Sequence, residues 1–190
     1  MLISLSQPPD PWHSFLRELD DAVDTAVRMD CIDGFVVTQL YGLERSTADV
    51  DVVELAPRDA SNTFTNLAFE GGPLHRKHRV YLDRVTVAAI PEEYEDRLTE
   101  MFPGTYRHLR IMALDPYDIA LSKLGRNNQK DRDDVRFLAK TIPFDLSILQ
   151  ERYDTELRWQ LGRPDREDLT LRLWMECSQS EEGLRAPLSG

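Results

Sequence analysis

The chain has 190 residues, 41% of them apolar, enough to close one hydrophobic core. Its formal charge of −11 excludes a general nucleic-acid coat or a binder of anionic membranes, because phosphate surfaces repel such a chain at long range. No apolar run approaches the roughly 20 residues that span a bilayer, and the opening MLISLSQPPDPW lacks the basic flank and apolar stretch of a signal peptide. Cys31 and Cys177 are too distant in sequence to form a metal-type pair, so a cytoplasmic protein with reduced thiols is expected.

Asp10-Pro11 predicts the start of a first helix, since Asp caps free amides and Pro suits the first turn, and Phe15, Leu16, Leu19, Ala22, Val23, Ala26 and Val27 then recur at helical spacing. A shorter helical run follows from Asp33 to Leu43. Alternation of acid and apolar residues from Asp49 to Val53 predicts a strand with Asp49 and Asp51 on one face. A second strand is expected in 79–90, with Asp83, Val85 and Val87 on one face, and a third in HLRIMAL. Asp115-Pro116 opens a helix through Leu124 that ends at Gly125. Asp131 is expected to cap a helix to Lys140, Pro143 and Asp145 to start another through Tyr153, and Asp165 to cap a last one, with SQSEEGLRAPLSG a mobile tail. The expected fold is α+β: a small mixed sheet flanked by helices, with a helical C-terminal half. One domain is expected over 1–160, with its sheet in 1–110 and its helical half in 111–160, followed by a C-terminal helix and tail in 161–190.

Two carboxylates spaced Asp-x-Asp on a strand can hold hard divalent cations between themselves and phosphate groups. The same spacing also fits a solvated edge face. Upstream of Asp49 and Asp51, Gly34, Gly42, Arg45, Ser46 and Thr47 supply a permissive backbone, a guanidinium and hydroxyls where a phosphate chain could lie. The densest basic patch, His75-Arg76-Lys77-His78-Arg79, reads either as a phosphate contact or as a solvated loop. Carboxylates in 130–136 are explained by helix capping. The four histidines show no zinc-ligand spacing, and GxSxG, GxxxxGK[ST] and GxGxxG are all missing from the sequence.

In order, a glycine before a short helix, GLERSTADVDV, an acid in YLDRVTV, PEEYEDRL and LDPYDIALSKLGRNNQKDRDDVRFLAK resemble the minimal nucleotidyltransferase superfamily of the DNA polymerase beta type. Within it, the stretch from Asp33 to Tyr153 is similar to the small bacterial DUF6036-type domains and to nucleotidyltransferase toxins of the AbiEii and MenT kind. The resemblance implies Asp49 and Asp51 as ligands of Mg²⁺ or Mn²⁺, and Asp83 as a third carboxylate that orients or deprotonates an acceptor hydroxyl. It implies Gly34, Arg45, Ser46 and Thr47 along the phosphates of a nucleoside triphosphate, with Lys123 reaching the triphosphate as a point charge. The acceptor it implies is a tRNA 3′ end or a protein side chain, and a cognate toxin or antitoxin partner is expected. Members usually carry Gly-Gly or Gly-Ser where this chain has Asp33-Gly34-Phe35, so the alternative is a binding or regulatory module of the same fold that no longer turns over.

Overall fold

A computed structural model describes residues 6–58, 60–86, 89–142, 144–162 and 164–183, with backbone alone at 61 and 179–183. The chain divides into two compact units, one of residues up to 88 with 94–115, the other of 89–93 with 116 onward.

The first unit is built on five strands, β1 (Val27–Ile32), β2 (Asp49–Ala56), β3 (Tyr81–Arg84), β4 (Thr99–Met101) and β5 (Leu109–Ala113), in the order β3-β2-β1-β5-β4. β1 runs antiparallel to β2 and parallel to β5, while β3 lies parallel to β2 and β4 antiparallel to β5. Helices α1 (Trp12–Asp21), α2 (Asp33–Gln39), α3 (Ala60–Ala68) and α4 (Pro73–His78) complete the unit: α2 packs on β1 and β2, α3 on β2 and β3, and α1 on α3 and α4. Its core buries Phe15, Leu16 and Leu19 of α1, Phe35 to Val37 of α2, and the inward strand positions Met29, Val50, Val52, Leu82 and Ile111. Asp20 is buried as well, and its carboxylate accepts the amides of Arg107, His108 and Leu109, tying the end of α1 to the start of β5.

Three expectations for this first unit are corrected. The first helix stops at Asp21 and Val27 opens a strand, because Ala22, Val23, Ala26 and Val27 continue a helical spacing by coincidence across the turn. The strand expected over 79–90 is confined to Tyr81–Arg84, with Val87 outside the described residues. The 75–79 patch lies on α4 and its left-handed C-cap Arg79 rather than in a loop; Lys77 and His78 meet Glu18 of α1 at 2.6 and 3.1 Å, and Arg76 donates to the Gly71 carbonyl.

The second unit is helical: α5 (Pro116–Ser122), α6 (Gln129–Thr141), α7 (Leu146–Arg152) with a wider turn over Tyr153–Leu157, and α8 (Asp165–Gly183). Ala120, Leu124, Val135, Leu149, Tyr153 and Leu171 form its core, so the last helix belongs to this unit instead of standing apart. The cap of α6 is Asn128, not Asp131: the Asn128 side chain takes the Asp131 amide while Asp131, at the third helical position, takes the Asn128 amide. Asp145 caps α7 through the Ser147 amide. The tail expected from Ser178 continues as helix to Gly183; residues 184–190 and Pro143 lie outside the described residues. Among the described residues no helix is long and apolar enough to cross a membrane.

Candidate active site

β2 delivers the acid pair. Val50 and Val52 point into the core, so the pleat turns Asp49 and Asp51 to the opposite face, where both are half-buried. Asp51 stands opposite Asp83 on β3 and opposite Ile32 on β1, and Asp49 opposite Tyr81. Parity and parallel register thus bring the three predicted carboxylates to neighbouring positions on two strands.

The turn between β1 and α2 lies against the segment that leads into β2. Asp33 has φ +63°, a left-handed conformation that Asp tolerates better than most residues and that glycine adopts freely, which is the physical reason a Gly-Gly pair suits this turn. Gly42, at φ +81°, turns the chain after α2 towards residues 43–47. A Cβ on Gly34 would meet Thr47 Oγ1 at 3.0 Å and Arg45 Nη2 at 3.4 Å, so Gly34, Arg45 and Thr47 are in close approach. Thr47 Oγ1 donates to Asp49 Oδ1 at 2.6 Å, fixing the orientation of that carboxylate. Ser46 is exposed. Gly34→Ala is expected to push the Thr47 hydroxyl off Asp49 and to lower any activity of the site about 10- to 100-fold, with a small change in thermal midpoint; unchanged activity would count against this positioning role.

The electrostatics agree. Burial first, then the charges of Asp49, Glu70, Asp83 and Asp51, raise the Tyr81 hydroxyl above its ordinary value. Four carboxylates therefore impose negative potential on one end of the β2–β3 edge, and Glu70, which no motif singled out, arrives there because Phe69 bridges to Leu82 of β3. Hard carboxylate oxygens of this kind suit Mg²⁺ or Mn²⁺. Among the described residues no three His, Cys, Asp or Glu side chains converge closely enough to hold a metal between them. A cation at Asp49 and Asp51 would take its remaining ligands from substrate phosphates and water, as Mg²⁺ commonly does.

Phe35, beside the turn, and Lys123, expected to reach the triphosphate, are both buried. Phe35 is fully buried and meets the Trp12 ring edge-on at 4.9 Å, so its ring belongs to the core and does not crowd the turn. Lys123, in the second unit, is 1% exposed, with its ammonium 3.3 Å from Asp134 and 3.6 Å from Asp131, both also buried.

Sequence reasoning passed over Asp30. Strand parity puts it on the same face of β1 as Ile32, fully buried, in a 3.0 Å ion pair with Arg28, which also binds Glu95 at 2.7 Å; the Tyr94 hydroxyl lies 3.5 Å away. Burial, against the pull of Arg28 and with help from Glu95 and Glu54, pushes its carboxyl up to about 6 from an ordinary 3.8. Around pH 5 the folded state therefore holds a proton that the unfolded state has released, and stability falls as pH rises from 4 to 6, by about 2 kcal/mol for this group. Asp30→Asn is expected to gain about that much relative to wild type between pH 4 and pH 7 in urea unfolding; a pH-independent difference would contradict the assignment.

Residues 22–180 match the family model described as "Nucleotidyltransferase of unknown function (DUF6036)". No curated protein and no solved structure matches the chain.

Proposed function

Because the chain belongs to the DUF6036 family of nucleotidyltransferases, we propose that it transfers a nucleoside monophosphate from a nucleoside triphosphate to a hydroxyl, using the β2–β3 carboxylates. The carrying observation is the negative field of Asp49, Asp51, Asp83 and Glu70 at one strand edge, with Gly34, Arg45 and Thr47 packed beside it. Mg²⁺ or Mn²⁺, when bound, would neutralise the triphosphate and the departing pyrophosphate. Asp49 and Asp51 hold that charge in place, Thr47 orients Asp49, and Arg45 and Ser46 offer donors to phosphate oxygens. Asp83 takes the proton of the acceptor hydroxyl as its oxygen bonds to the α-phosphorus and the bond to the β-phosphate oxygen breaks.

For the acceptor we propose a tRNA 3′ end or a protein side chain, the net charge of −11 favouring the latter. Such a reaction would suit a toxin–antitoxin component. A second reading, nucleotide binding without turnover, rests on the Asp33 carboxylate at the turn. The discriminating experiment incubates the protein with each α-labelled triphosphate, Mg²⁺, and either total tRNA or cell protein. Label transferred to one pool, with release of pyrophosphate and loss in EDTA, is the expected result. Mg²⁺-dependent nucleotide binding with no label transferred would favour the second reading, and no binding at all would remove both.

A further inference from the structure

Within the second unit, a groove enclosing about 160 Å³ runs between α6 and α8. Val135, Ala139, Leu146 and Trp174 give it an apolar floor, continuous with the core beneath. One wall is basic: Arg132, Arg136 and Lys140 recur every four residues along α6, a stripe of about 12 Å in a protein with 34 acidic and 23 basic side chains. These side chains have partners, Arg132 binding the Asn127 carbonyl and Gln129, and Arg136 binding Asp133 at 3.1 Å. The Arg136–Asp133 pair is half-exposed on both sides, and such surface pairs hold by under ~1 kcal/mol and exchange readily for a better anion. The other wall belongs to α8, through Cys177 and Ser178.

An apolar floor beside a basic wall fits a helix with leucine-like anchors and an acidic flank. A nucleic acid fits less well. Bases need open aromatic faces, whereas Phe144, the other ring at the groove, stacks on Tyr117 at 4.5 Å, and Trp174 is half-buried against the core. We propose that the α6–α8 groove is the docking site for an acidic amphipathic helix of a partner protein, separate from the carboxylate site of the first unit.

Cys177 at the groove mouth is exposed and Cys31 buried, so thiol alkylation reports on the groove alone. The probe is a fluorescent, helix-stapled peptide of about 16 residues with leucines at i, i+3, i+4 and i+7 and flanking glutamates. Its binding is followed by anisotropy and by Cys177 alkylation on the full chain. The expected result is saturable binding that slows alkylation, is lost when lysines replace the peptide's glutamates, and weakens at least about tenfold in Arg136→Glu/Lys140→Glu with an unchanged circular dichroism spectrum. Equal binding of the acidic and basic peptides, or failure of the acidic one to protect Cys177, overturns the proposal. So does stronger protection by single-stranded RNA, which would make the groove a nucleic-acid face, or protection that rises with protein concentration alone, which would make it a self-association surface.

Discussion

Asp49→Asn and Asp51→Asn are each expected to reduce nucleotidyl transfer about a thousandfold or more while leaving the fold intact. Each substitution preserves side-chain shape but removes one of two charges that would hold a divalent cation. Transfer of this kind depends almost wholly on positioning and charge stabilisation, and a thousandfold corresponds to about 4 kcal/mol of transition-state stabilisation. Stability should hold or rise slightly, because Asp49, Asp51, Asp83 and Glu70 all raise the Tyr81 hydroxyl and one like charge fewer relieves that field. Asp83→Asn should cost about 10²- to 10⁴-fold as a lost proton acceptor, with apparent Mg²⁺ affinity little changed. Titrating Mg²⁺ against rate separates the roles: Asp49 and Asp51 variants should need more metal, the Asp83 variant should not. Equal labelling by wild type and both β2 variants would end the proposal that this edge carries the reaction.

The acid pair was legible because its signal is local. A period-two alternation over Asp49–Val53 sets the face of both carboxylates whatever packs around them, and parity placed Asp83 beside Asp51 once β3 lay parallel to β2. Elements whose identity depends on partners were hidden. VRMDCI carries no clean alternation, because β1 lies between β2 and β5 with Asp30 buried on one face and Met29 and Cys31 on the other. β4 is three residues long, too short for any period. Asp30 reads as an ordinary surface acid until Tyr94 and Glu95, more than sixty residues later, close over it. Glu70 joins the acidic edge by the fold of 69–82 alone. Phe35 stands where small residues are usual, yet its ring turns into the core against Trp12, because sequence shows a neighbour's size but not the direction of its side chain.

Lys123 shows the same limit with the larger energetic consequence. Its ammonium is buried between Asp134 and Asp131, and Asp131 has further support: burial opposes its ionisation, but the Arg126 fork, the Asn128 amide and Lys123 together hold its carboxyl below the ordinary range. Lys123→Met keeps the apolar stem and removes the charge, leaving Asp134 buried without its lysine, and is expected to destabilise the protein by about 3–5 kcal/mol. Lys123→Met/Asp134→Leu removes both charges and should recover most of that loss, because a buried ion pair contributes little net stability beyond an apolar pair of similar volume. The contrast with a triphosphate ligand is measurable. A lysine that bound phosphate would, when replaced, raise KM for the triphosphate with the urea midpoint nearly unchanged, and adding Asp134→Leu would rescue nothing. A structural lysine gives a lower midpoint, near-normal KM per folded molecule, and rescue by the second substitution, which is the result the buried geometry predicts.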